Sequence, residues 1–275
     1  MAGNHMRRTL GIVEVLSRQP RGLPLQAIAD ELAMPKSAAH RLLAGLDQLG
    51  WVRKDEEDGR HALTLRLVSL AFRYLTEAGV PDVAQPILDR LARESGEMVR
   101  LGVIDGDAQF WVARAQGARS GLRYDPDMGG RAKLTCTASG LAWLAALSDA
   151  EVTRLVKIEG LESDPERGPN APRTLSAIFE RIRRTRRDGY ARTVETAHRG
   201  TSALAAVVRH PATARPLGTI SVAGPSIRLT EARMIELAPA TLRAAEDMSA
   251  ASACLASLAP REATSRREAA RHSQR

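Results

Sequence analysis

Leu25-Gln26-Ala27-Ile28-Ala29-Asp30-Glu31-Leu32-Ala33-Met34-Pro35-Lys36-Ser37-Ala38-Ala39-His40-Arg41-Leu42-Leu43-Ala44-Gly45-Leu46 is the stretch on which the fold turns. Leu25, Ile28, Ala29 and Leu32 recur at helical spacing over residues 25–33, and Leu42, Leu43, Leu46 and Leu49 do so over 37–49. Met34-Pro35-Lys36 between them carries no period. Ser37 is expected to cap the second helix and Gly50 to end it. Helices that cross sharply must touch through small or apolar residues, and Ala29, Ala33, Ala39 and Leu42 fall at the crossing. The pattern predicts a helix-turn-helix over 25–46.

Its surroundings extend the motif. Upstream, Leu10, Ile12, Val13, Val15 and Leu16 suit an amphipathic helix over 7–18, broken by Gln19-Pro20-Arg21-Gly22. Met1–His5 reads as an appended leader before a start at Met6 and is left out of the fold. Downstream, Trp51-Val52-Arg53-Lys54 and His61-Ala62-Leu63-Thr64-Leu65 alternate around the acidic turn 55–59, which predicts a β-hairpin. The outward face of the second helix presents Lys36, Ser37, Ala38, His40 and Arg41 at its N-terminal end, the end that meets base edges in a major groove. Arg41 suits a guanine, His40 an acceptor atom, and the Ala38 methyl a thymine methyl. Lys36 and Ser37 suit phosphate, and Arg53, Lys54 and Arg60 make the hairpin a wing against the DNA backbone. The bland alternative is an unrelated helical hairpin with solvated charges. A hairpin with basic residues at its base weighs against that.

Composition bounds the remainder. The chain has 275 residues, 44% apolar and 26% charged, enough for two globular domains. With three each of Trp, Tyr and Phe, its cores must rest on Leu, Ala, Val and Ile. No apolar run reaches the roughly 18–20 residues of a membrane span, and no secretory leader is visible. Two cysteines, Cys136 and Cys254, make no disulfide framework, which suits a cytoplasmic protein with no membrane partner. The net charge is +8, yet residues 1–80 carry only +2 of it and 261–275 carry +3. Basicity alone therefore does not locate a DNA site.

Beyond the wing, a helical stretch at 66–79 closes at Gly79-Val80-Pro81. Helix 82–95 follows, then strands at 98–104 and 109–113 about the turn Asp105-Gly106. Helices are expected at 138–147, 149–158 and 174–187, the last preceded by a Pro/Gly-rich loop at 164–172. Strands at 189–194, 203–209 and 216–222 and a helix from about 230 to 257 complete an α+β domain. No repeat of fixed period is present. The boundaries read as a winged helix at 6–65, a linker helix at 66–81, a second domain at 82–258 and a disordered basic tail at 259–275.

The sequence resembles the IclR family of bacterial regulators. Ala27-Ile28-Ala29, Met34-Pro35-Lys36-Ser37-Ala38-Ala39-His40-Arg41-Leu42-Leu43 and Leu49-Gly50-Trp51 carry the likeness in the first domain. Gly130-Arg131-Ala132-Lys133-Leu134, Thr137-Ala138-Ser139-Gly140, Asp188-Gly189-Tyr190-Ala191 and Ile220-Ser221-Val222-Ala223-Gly224-Pro225 with Arg228 continue it. The resemblance implies an N-terminal winged helix-turn-helix, a linker helix and a GAF-like effector domain. It implies a dimer, or dimer of dimers, on palindromic double-stranded operator DNA, answering to a small-molecule effector. By position, Thr137, Ala138 and Ser139 would receive a carboxylate at a helix start, with Thr193, Ala203, Ser221 and Ala223 as walls. Thr193 stands where small-keto-acid members carry an acid, Ala203 where they carry a cysteine, Ala223 where they carry a serine, and Leu141 replaces a lysine. The expectation is a less polar pocket and an aromatic carboxylate or derivative rather than glyoxylate or pyruvate.

Other signals carry less. Cys136 and His198 are too few for a zinc site, and a buried thiol with a surface imidazole is the plainer reading. Five arginines within Arg181–Arg187 read as a solvated helix face rather than a second nucleic-acid contact. Trp111 and Trp143 either line a cavity or fill a core. No nucleophile elbow, phosphate loop, metal-binding helix or dinucleotide fingerprint is present, so neither a catalytic residue nor a cofactor is expected. The rival readings are a DNA-binding architectural protein or repressor without an effector and, behind it, an enzyme on a GAF-like domain.

Overall fold

A computed structural model describes residues 2–125, 129–161, 167–252 and 255. The chain divides into two compact units, Met1–Glu77 and Ala78–Arg275. The first holds α1 (Ala2–Ser17), α2 (Leu25–Glu31), α3 (Lys36–Gln48), the hairpin β1 (Val52–Lys54) and β2 (His61–Leu63), and α4 (Arg66–Glu77). Helix α1 starts at Ala2, so Ala2–His5, set aside as part of a leader, belong to it. Ile12 and Leu16 of α1 meet Ile28 and Ala29 of α2, Ala39, Leu42, Leu43 and Leu46 of α3, and Val52 of β1 in one buried core. That core is almost wholly aliphatic, and the small Ala29 and Ala39 allow the close crossing.

The α2–α3 turn departs from expectation in one respect. Ser37 does not cap α3, because the helix begins one residue earlier at Lys36 with Pro35 before it and no side-chain cap bond. Pro35 carries the extended backbone its ring favours, and its carbonyl accepts from the N–H groups of Ala38 (2.9 Å) and Ala39 (3.1 Å). Both helices end in the same six-residue closure. Ala33 N–H donates to Asp30 O and Met34 N–H to Ala29 O after α2, while Gly50 and Trp51 donate to Asp47 O and Leu46 O after α3.

In the second unit, α5 (Val80–Ser95) leads into β3 (Met98–Asp105) and β4 (Ala108–Gln116). Then come α6 (Ala138–Ala145), α7 (Asp149–Glu159), α8 (Leu175–Asp188), β5 (Ala191–Val194), β6 (Thr201–Arg209), β7 (Pro216–Pro225) and α9 (Glu231–Ala250). The strands form one antiparallel sheet in the order β4-β3-β7-β6-β5. Val99, Leu101, Leu204, Ala206, Ile220 and Val222 point to one face, where Leu88 and Leu91 of α5 and Met234 and Met248 of α9 cover them. On the other face α6 lays Ala138, Leu141 and Ala142 against Ala191 and Ala205, backed by an α6–α7–α8 core around Trp143, Val152 and Ile178.

Several boundaries move. Gly189 closes α8 in a left-handed conformation (φ 80°), so β5 begins at Ala191 rather than 189. Strand β4 runs on to Gln116 and β7 to Pro225, while α4 stops at Glu77 and α9 at Ala250. The tail at 259–275, Cys254 and residues 162–166 lie outside the described residues.

Candidate effector cavity and DNA-binding surface

On α3, Ala39, Leu42, Leu43 and Leu46 face inward, and that fixes what faces out. Lys36, Ser37, His40 and Arg41 are exposed on the first two turns, with Ala38 half-buried beside them. Arg53 and Lys54 are exposed on β1. Arg60 is already engaged, donating to Gly22 O (3.1 Å) and pairing with Asp58 (3.1 Å), so it braces the wing rather than offering a free charge. The wing tip, Asp55-Glu56-Glu57-Asp58, is acidic and exposed, and the Asp55 carboxylate accepts from Glu57 N–H at 2.9 Å. The basic surface is therefore α3 and the stem of the wing, while the tip is acidic.

The second site lies on the α6 face of the sheet. Thr137, Ala138, Ser139, Thr193, Ala203, Ser221 and Ala223 all line one cavity of about 500 Å³. Thr137 caps α6: its hydroxyl oxygen accepts from Gly140 N–H (3.0 Å) and donates to Lys133 O (2.7 Å). Gly140 is needed there, since a Cβ would stand 2.3 Å from the Leu134 Cα. The Thr193 hydroxyl donates to Ala203 O at 3.4 Å. By contrast the Ser139 and Ser221 hydroxyls are buried and have no hydrogen-bond partner.

Of the other lining residues, the sequence offers only Trp111 to a cavity, as one of two alternatives. Arg100, Trp111, Tyr124, Arg131, Lys133 and His198 share the cavity, which is more polar than the Thr193, Ala203 and Ala223 replacements suggested. The β3–β4 register explains how Arg100 and Trp111 meet. Arg100 pairs with Arg114, but the register slips between Leu101 and Gly102, so Gly102 pairs with Trp111. That bulge carries Trp111 onto the face of Arg100. The Arg100 guanidinium lies 3.7 Å from the Trp111 ring centroid and 6.0 Å from that of Tyr124. Burial holds the Arg100 pKa below its usual value, with the nearby Tyr124 opposing, and burial pushes the Tyr124 hydroxyl up. The clue in the sequence was an arginine inside the otherwise apolar run Met98-Val99-Arg100-Leu101-Gly102-Val103-Ile104.

The remaining signals resolve structurally. Trp111 lines the cavity, and Trp143 fills the core under α6. No group of three or more His, Cys, Asp or Glu is placed to hold a metal among the described residues. Of the α8 arginines, Arg186 ties helices together through Ala145 O, Leu147 O and Asp149, while Arg184 and Arg187 pair with Asp188.

A winged helix-turn-helix on one unit and a ligand-sized cavity in a second, mixed unit define a transcriptional regulator with an effector domain. The chain belongs to the IclR family: the IclR helix-turn-helix domain matches residues 6–56 and the C-terminal domain of bacterial IclR regulators matches 72–250. It is 28% identical over 249 residues to the transcriptional repressor IclR of Escherichia coli, covering 90% of this chain and 89% of that one. The acetate operon repressor of Salmonella typhimurium is 27% identical over 247 residues, covering 90% and 89%. An IclR regulator from Alicyclobacillus acidocaldarius has the same fold (TM-score 0.78, 22% identity, 90% and 98% covered). So does an IclR homologue from Microbacterium hydrocarbonoxydans crystallised with 4-hydroxybenzoate (TM-score 0.69, 20% identity, 90% and 99% covered).

Proposed function

We propose that the chain is a homodimeric, or dimer-of-dimers, regulator whose affinity for a palindromic operator is set by an aromatic carboxylic acid bound in the α6 cavity. The observation that carries this is the cavity's lining: two buried serine hydroxyls without partners, a helix start, and the rings of Trp111 and Tyr124 around about 500 Å³. A buried hydroxyl without a partner costs roughly 1–3 kcal/mol, which a polar ligand recovers. Apolar walls with a few convergent polar groups are the ordinary make-up of a small-molecule site. The family neighbour bound to 4-hydroxybenzoate supports the same ligand class.

In this reading the cavity acts as a receptor. Neither the Ser139 nor the Ser221 hydroxyl is hydrogen-bonded to a base, and an unactivated serine is a poor nucleophile. The acid would shift DNA affinity by its differential affinity for the DNA-competent and DNA-incompetent states. Thermal-shift and calorimetric titration with benzoate, 4-hydroxybenzoate and glyoxylate tests the reading. The aromatic acids should raise the melting temperature and bind, and should alter retardation of a promoter fragment from the chain's own gene neighbourhood. A response to glyoxylate alone, or to none of the three, overturns it.

A further inference from the structure

Arg100 is 8% exposed, has no ion pair among the described residues, and leaves its Nε–H without an acceptor. A charge held this far from water ordinarily has a carboxylate beside it. Here, among the described residues, the guanidinium has the face of Trp111 and the side chain of Tyr124, which hydrogen-bonds to it, but no carboxylate, while Ser221 lies opposite on β7 with its hydroxyl also unpartnered. A second anion receptor stands elsewhere in the same cavity. Helix α6 starts over β5, β6 and β7, its first N–H groups have no acceptor within the helix, and the Ser139 hydroxyl beside them is 1% exposed and unpartnered. Among the described residues the cavity's one carboxylate, Asp125, is taken by Arg114.

We propose that the effector carries two anionic groups on one aromatic frame, one docked on Arg100 and Ser221, the other on the start of α6 and Ser139. This rests on the proposed acid-binding role of the cavity and narrows it from carboxylates in general to dicarboxylates. One carboxylate satisfies either receptor but leaves the other buried and unpaired, so the doubly charged acid gains where the singly charged one does not. The ring stack holds the planar guanidinium in a fixed plane, which favours two-point bonding to a carboxylate.

The test is calorimetric titration of the full chain at fixed ionic strength with benzoate and the three benzenedicarboxylate isomers. The wild-type chain should bind at least one dicarboxylate tenfold or more tighter than benzoate. Arg100→Met should bring that ratio close to one, and Arg100→Lys should keep part of it. A ratio near one in the wild-type chain overturns the inference but leaves an acid receptor standing, and that comparison needs no variant to fold. A tenfold ratio that survives Arg100→Met also overturns it, and reduces the arginine–tryptophan stack to a packing role. If neither benzoate nor any dicarboxylate binds, both this inference and the acid-receptor reading fail.

Discussion

Ala33 adopts φ +46°, one of three non-glycine residues with positive φ among the described residues, and it does so at the hinge of the DNA-binding motif. Its left-handed backbone lets Ala33 and Met34 close α2 and turn the chain into α3. An L-residue in this conformation costs about 1–2 kcal/mol, and glycine escapes that at an entropic cost of roughly 0.5–1. Ala33→Gly should therefore stabilise the first unit by about 0.5–1 kcal/mol, read as a higher urea midpoint. An unchanged or lower midpoint would show that the strain is relieved locally. His61 makes a pH-dependent contribution in the same unit. Burial lowers its pKa from the usual 6.5, assisted by Lys54 and His40 and opposed by Asp47 and the Leu23 backbone, and its Nδ1 has no partner. The fold prefers the neutral ring, so the unfolded chain takes up the proton first as pH falls through 6.5, and stability present above that value is lost below it. Urea midpoints should drop between pH 7 and pH 5.5, and His61→Leu should flatten that slope. Ring-proton NMR should place the His61 titration below 6.5.

At the level of elements, the wing pairs an attractive stem with a repulsive tip. Arg53 and Lys54 stand on β1, while Glu56 and Glu57 project from a turn ordered by the Asp55 carboxylate. Two unit charges held about 10 Å from phosphate and screened by salt are each worth roughly 0.2–0.5 kcal/mol. Glu56→Gln with Glu57→Gln should therefore tighten binding to a random-sequence duplex about two- to fivefold, measured by fluorescence anisotropy at 0.1 M salt. No change would place the tip away from the phosphates. The wing was legible because two short runs flank a turn that is a run of acids, although neither β1 nor β2 alternates in burial. The helix-turn-helix was legible because apolar spacing survives sequence divergence. Gly50 announced the closure of α3, but the closure of α2 was not legible, since an alanine in the glycine position gives no turn signal, nor was the start of α3, where Ser37 offered a more familiar cap. The effector cavity divides in the same way. Its α6 edge showed in the Thr137-Ala138-Ser139-Gly140 motif, whereas its Arg100 end depends on a strand bulge that nothing in Val112-Ala113 announces. An inward-facing arginine on a strand looks like an outward-facing one until the register is known.

Whole-molecule behaviour turns on α4. No residue of this helix is buried, although Leu67, Val68, Ala71, Phe72 and Leu75 recur at helical spacing, and Val68, Leu70, Phe72 and Tyr74 are exposed. Soluble chains rarely leave an apolar face of this kind uncovered. A palindromic operator, meanwhile, needs two recognition helices set about 34 Å apart. One self-complementary contact between two copies of α4 would answer both requirements, because a two-fold interface places the same surface opposite itself. Phe72→Glu puts a charge in that contact without touching either core, since Phe72 is 64% exposed. The variant should keep its melting temperature at low protein concentration, sediment as a monomer at tens of micromolar, and lose affinity for a two-half-site operator far more than for a single half-site. A wild-type chain that already sediments as a monomer would remove the dimer altogether. A Phe72→Glu chain that remains dimeric would move the interface to a surface outside α4, leaving the exposed face of that helix to some other partner.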